Sequence, residues 1–256
     1  MSYTLEHNNT NENIEAGGIK DIFNKVKNSV KNFVSNVASI PTNIINKALP
    51  EPQRYTRKAE TMLKRYGHFK IQQLFVERQE VNSAVMKLAS ALTVGEMNNA
   101  MKKGNIEKFY HLNLKAFITS SLGKSIEILI EKNDTINIDL WKQKPNVETI
   151  EINLLGKTIT ISELLTKTRL AIGNKKFFLY RALEGQNCGD FCVDVLKSND
   201  LWQQKYAKFM IQNTELMKKH ISQNSQNRLN MITKLGSLIT QLKGGKLDID
   251  NEIRFI

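Results

Sequence analysis

The chain has 256 residues, 41% of them hydrophobic, and a formal net charge of +12. That length holds one large domain or one domain with appendages, and two cysteines in such a chain argue against a disulfide-stapled secreted scaffold and for a reducing compartment. The Lys and Arg excess favours an anionic partner, a membrane surface or a nucleic acid, without specifying either, and no apolar run reaches the ~18 residues of a membrane span.

Residues 1–18 ("LEHNNTNENIEAGG" within them) read as disordered. They are polar and acidic and lack the basic-then-apolar order of a secretory signal. In "IKDIFNKVKNSVKNFVSNVASI", Ile19, Ile22, Phe23, Val26, Val30 and Phe33 recur at spacings of three and four and line one face of a helix. Lys25, Lys27 and Lys31 fall on the other face. Such a basic amphipathic helix can lie in a membrane interface, or it can pack on its own domain or a partner. Pro41, Pro50 and Pro52 then punctuate a linker and set a boundary near residue 52.

Residues 54–66 read as helix and "KIQQLFVERQEV" as a strand. Residues 82–103 read as helix with an internal Gly95, ending at Gly104. The period then changes to two: "FYHLNLKAFI" and "SIEILIEKND" flank "TSSLGK" as a hairpin. "TINIDLW" and "ETIEINLLGKTITI" supply further strands, "SELLTKTRLAIG" a helix capped by Ser162, and "KKFFLYRAL" another strand. A helix opens at Asn187, and the chain from Asn199 to about Leu242 is expected to be helical, with breaks near Ser222–Asn227. These expectations define an α+β fold, an antiparallel sheet packed on helices, over residues 54–200. A helical extension over 201–256 follows.

Both cysteines lie in "EGQNCGDFCVDVL". A zinc site needs about two further soft ligands, and the four histidines are scattered. A disulfide between positions i and i+4 of one helix is strained. Cys192, beside Phe191, Val195 and Leu196, fits a small buried hydrophobe. Cys188 stands instead at a helix N-terminus, with Asn187 as N-cap and Gly189 in the first turn. There the dipole and free N–H groups favour thiolate and can bind an oxyanion. A base is needed, and His111 has the best address. Tyr110, Leu112, Leu114, Ala116 and Ile118 form the apolar face of its strand, and His111, Asn113, Lys115 and Phe117 form the other. Matching polar faces with the next strand sets Lys115 across from Glu127 and His111 across from Glu131, or, after a slip of two, puts Asn133 or Leu129 opposite His111. Glu131 is then the carboxylate that would orient the imidazole. An exposed strand histidine is the plainer reading of His111 taken alone.

Together these residues resemble the circularly permuted papain-like superfamily. "QNCGDFCVDVL" is similar to the Cys-bearing helix start of NlpC-type and lecithin:retinol acyltransferase-like thiol hydrolases; "KFYHLNLKAFI" and "EILIEKND" resemble the two strands that go with it. In viral and phage members the wording is closer still: "KAETMLKRYG", "FYHLNL", "LIEKN", "ELLTKTR" and "NCGDF". The resemblance covers roughly Arg54 to Asp200. It implies Cys188 as nucleophile, His111 as general base and Glu131 as third residue; no cofactor or metal is expected. The chain departs from the acyltransferase branch in having no second histidine on the following strand, and in Gly189, where that position is commonly acidic or polar. A second resemblance, carried by "GGIKDIFNKVKNSVKNF", is to the internal membrane-lytic capsid protein of adenoviruses; "LKGGK" resembles the Gly-Gly processing sites of such viruses.

The resulting expectation is a viral cysteine hydrolase or acyltransferase in the virion and host cytoplasm. It would act on an ester or amide, with membrane lipid as substrate and capsid proteins as further partners. A thiol amidase or peptidase keeps the chemistry and changes the substrate. A non-enzymatic membrane-lytic virion protein drops the chemistry. Specific nucleic-acid binding has no aromatic-basic module behind it.

Overall fold

The computed structural model describes residues 55–230 apart from 82 and 213. The amphipathic stretch from Ile19 to Phe33, the linker prolines up to Pro52 and the segment "LKGGK" lie outside the described residues.

The chain begins with α1 (Arg57–Tyr66), capped by Thr56. Strand β1 (Ile71–Glu80) follows, then α2 (Ser83–Leu92) and α3 (Glu96–Lys103). The single helix expected over 82–103 is two, because Gly95 takes φ 81° and breaks the ladder between them. Next come β2 (Tyr110–Thr119), β3 (Ser125–Lys132), β4 (Ile136–Leu140) and β5 (Val147–Ile152). They form one antiparallel five-stranded sheet in the order β4-β3-β2-β1-β5. The β2–β3 hairpin closes through Ser120 and Lys124, with Gly123 at φ 73°.

Alternation makes one sheet face apolar. Leu112, Leu114, Ala116 and Ile118 of β2 and Ile128 and Ile130 of β3 are all fully buried. In β1 the apolar residues step unevenly, Ile71 then Leu74 and Val76, and a bulge between Ile71 and Gln73 restores all three to the core. Against this face lie α4 (Ile161–Ile172), the short α5 (Asn174–Phe178) and α6 (Cys188–Ser198), the last directly on β2 and β3. The fold is therefore α+β, with helices packed on an antiparallel sheet.

Four further expectations are corrected. Only the first half of "ETIEINLLGKTITI" is strand, since Leu155 and Gly156 turn the chain with φ 54° and 72°. The cap of α4 is Thr160, whose hydroxyl accepts from the Glu163 N–H; the Ser162 N–H is bonded to Gly67 O instead. "KKFFLYRAL" is not a strand. Phe177 and Phe178 are both fully buried, which an alternating strand on one core face cannot achieve; α5 turns both inward, with their rings edge-to-face at 4.9 Å. Beyond Asn199 the chain holds a 3₁₀ turn (Gln204–Tyr206), α7 (Ala207–Met210) and α8 (Thr214–Lys218) rather than long helix, and it is helical over 223–230 where breaks were expected. Leu201, Tyr206 and Met210 belong to the same buried cluster as the sheet.

Among the described residues no helix is long and apolar enough to cross a membrane.

Candidate active site

Helix α6 starts at Cys188 because Asn187 stops the extended chain and caps the first turn. The Asn187 Oδ1 accepts the Asp190 N–H at 3.0 Å, and Asp190 Oδ2 accepts the Asn187 N–H at 3.1 Å. The Asn187 Nδ2 donates to Ala182 O at 3.2 Å. Asn187 is thereby engaged in building the helix end rather than in meeting a substrate. The Gly189 N–H donates to the Cys188 sulfur. The Cys188 N–H stands at the same helix end and makes none of these bonds.

His111 arrives from β2. The β2–β3 pairing runs from Thr119↔Ser125 only as far as Asn113↔Glu131, whereas β2 stays paired with β1 out to Tyr110↔Glu80. Past Asn113 the β3 side of β2 is open. The Leu112 N–H donates into that opening, to the Cys188 sulfur. His111, one residue further out, hydrogen-bonds the same sulfur and also meets Glu131, with Nε2 to Oε2 at 3.1 Å. With Nε2 committed to the carboxylate, Nδ1 is the ring nitrogen left for the thiol.

The register differs from the expected one by two residues. Lys115 is opposite Leu129, and Asn113, not His111, is opposite Glu131. Parity holds, and long side chains span the diagonal, so both expected contacts form: His111 with Glu131, and Lys115 with Glu127 at 2.6 Å. Cys188, His111 and Glu131 therefore come together from α6, β2 and β3.

Glu131 is deeply placed, 6% exposed. Besides His111 it accepts from Asn133 Nδ2 and Asn137 Nδ2, each at 3.1 Å to Oε1, and Lys144 Nζ stands 4.0 Å from Oε2. Burial opposes its charge, but the His111 bond and charge, Lys144 and Asn137 prevail and lower its pKa to about 2. Burial likewise opposes the His111 cation; the charge and hydrogen bond of Cys188, with those of Glu131, raise the imidazole above its usual range. The Cys188 thiol is lowered against the burial penalty by the His111 charge and bond and by the N–H groups of Leu112 and Gly189. A thiolate–imidazolium pair is the state this arrangement favours. Cys192, one helical turn on, is fully buried and pushed well above the ordinary thiol range by burial and by the Cys188 charge.

Asn137, Lys144 and the Leu112 N–H carry no signal in the sequence that marks them for the site. Asn137 sits directly across from Glu131 once β3 and β4 are paired, so a correct register would have found it. Lys132 is equally unmarked. It closes the inner face of β3, 1% exposed, and donates to Lys176 O at 2.7 Å. Burial lowers its pKa to about 8 despite the nearby charges of Asp194 and Asp190.

Among the described residues no group of three or more His, Cys, Asp or Glu is arranged to hold a metal ion. A depression of about 730 Å³ lined by Thr158, Ser162, Thr166 and Leu170 shares no residue with the Cys188 site. The expected membrane-binding residues, Ile19 to Phe33, lie outside the described residues. No family model, curated protein or solved structure matches this chain.

Proposed function

We propose that the protein is a cysteine-dependent hydrolase or acyltransferase that opens an ester or amide through an acyl-enzyme. The observation that carries this reading is the imidazole of His111 held between the Cys188 sulfur and the Glu131 carboxylate at a helix N-terminus.

His111 Nδ1 takes the proton of Cys188. The thiolate attacks the carbonyl carbon, and the carbonyl oxygen becomes an oxyanion beside the Cys188 N–H. As the C–O or C–N bond breaks, the imidazolium returns its proton to the leaving alcohol or amine. Water, or another acceptor, then gives a proton to His111 and attacks the thioester, and collapse of that intermediate restores the thiol. Glu131 stays ionised throughout and holds the ring in orientation. The His111 side chain is 28% exposed whereas Cys188 is 6% exposed, so substrate approaches from the imidazole side.

The basic amphipathic stretch from Ile19 to Phe33 supports a membrane as the place of action and a phospholipid as acyl donor. The sequence resemblances support a virion-borne protein that weakens a host bilayer. The test is incubation of pure protein with phospholipid vesicles and, separately, with peptide substrates. Lysolipid release that disappears in Cys188→Ala is the expected result. Peptide cleavage without lysolipid assigns the amidase chemistry instead. The same stretch also favours a purely lytic role, in which vesicle leakage survives Cys188→Ala and is lost on charge reversal of Lys25, Lys27 and Lys31.

A further inference from the structure

The end of β2 that carries His111 has lost its β3 neighbour, yet its backbone groups are not left bare. In an antiparallel ladder alternate residues direct N–H and C=O to opposite sides. Phe109 O accepts from Val81 N–H and so faces β1. Tyr110 and Leu112 face the other way, into the gap. The Leu112 N–H is taken by the Cys188 sulfur. Both groups of Tyr110 are taken by one side chain: its N–H donates to Gln212 Oε1 at 2.8 Å, and its C=O accepts from Gln212 Nε2 at 2.7 Å. A single carboxamide replaces the missing strand, one residue from His111.

Gln212 also reaches the other half of the site. Its Nε2 lies 3.9 Å from where a Cβ on Gly189 would stand, and Met210 O lies 3.5 Å from that point. The segment bearing Gln212 thus packs beside the residue following Cys188 while it clamps the residue preceding His111. A Cβ at position 189 would stand in ordinary van der Waals contact with both atoms.

We propose that Gln212 is a positioning residue for the thiol–imidazole pair: its carboxamide fixes the unpaired end of β2 and holds His111 at bonding distance from Cys188. The proposal rests on the cysteine-hydrolase reading and adds to it a fourth residue, from a part of the chain outside the resemblance to known thiol hydrolases. Gln212 does not itself touch the reacting atoms. It acts through the backbone of Tyr110.

The test is the rate of Cys188 alkylation by iodoacetamide against pH, on the full chain. It compares wild type, His111→Ala, Gln212→Met and Gln212→Ala, with folding checked by circular dichroism. Gln212→Met keeps the side-chain length and loses both hydrogen bonds. The expected result is a folded Gln212→Met protein whose alkylation rate at pH 7 falls about tenfold, as loss of alignment implies, and whose profile moves upward in pH towards that of His111→Ala. A profile equal to wild type in either folded Gln212 variant overturns the proposal. If wild type and His111→Ala are themselves indistinguishable, the hydrolase reading fails, which is a separate outcome. Amide exchange in wild type covers the case in which neither variant folds. Protection of the Tyr110 N–H is expected, and exchange at the rate of an unstructured peptide overturns the clamp.

Discussion

Glu131 adds to the larger effect of the Cys188 charge in keeping the proton on His111. Its Oε2 meets Nε2 of the ring, and its Oε1 is filled by two asparagine amides. Replacing it by Gln keeps the volume and removes the charge that stabilises the imidazolium. The imidazolium is then lost at lower pH. The alkaline limb of the kcat/KM profile of Glu131→Gln should therefore move to lower pH, with a fall on the order of 100-fold at its optimum. The two cysteines should separate as cleanly. Iodoacetamide at neutral pH should modify Cys188 and leave Cys192 untouched until the protein unfolds, which peptide mass spectrometry reads directly. The helix-start position of Cys188 and the parity of the His111 strand are legible in the sequence itself, because both are local properties, whereas the meeting of the two is implied only by the resemblance. The diagonal reach of His111 is not legible, since register depends on where the hairpin turn closes and a slip of two leaves every side chain on the same face.

Helix α6 presents Cys188 and owes its start to one asparagine. Asn187→Ala removes the acceptor for Asp190 N–H and the bond to Ala182 O, and should cost about 1 kcal/mol in urea unfolding. Its alkylation profile should move upward too, because a frayed first turn presents its N–H groups poorly. The cap is readable from "NCGD" since capping is a short-range signal. The neighbouring α5 is not. "KKFFLYRAL" has strand composition, and only the aromatic cluster of Tyr55, Phe177, Phe178 and Phe191 explains why it turns inward as a helix. The chain beyond Asn199 departs from its periodicity for a related reason. Its short turns follow the surface they cover, with Tyr206 and Met210 sunk in the core and the Tyr206 hydroxyl accepting from Asn153 N–H at 3.0 Å. Helical periodicity carries no record of such docking.

At the level of the whole molecule, two buried charges give stability a pH signature. Glu131 has a folded pKa of about 2, below the ordinary 4.5, so its contribution is full above about 4.5 and drains away as pH falls towards 2. Lys132 works with the opposite charge. Its folded pKa of about 8 lies below its ordinary 10.5, so between those values the unfolded chain binds the extra proton and stability rises with pH. Unfolding free energies of wild type and Lys132→Met, measured from pH 7 to 11, should show wild type gaining on the variant through that interval. The layered α+β arrangement is readable from the switch in periodicity, whereas an ammonium at an apolar strand position is not. The hairpin turn between β2 and β3, tipped by the 82%-exposed Leu122, has a consequence of another kind. A break there would divide the protein into a piece holding His111 and a piece holding Cys188 and Glu131. Neither fragment would be chemically competent by itself, so turnover recovered on mixing would report their reassembly.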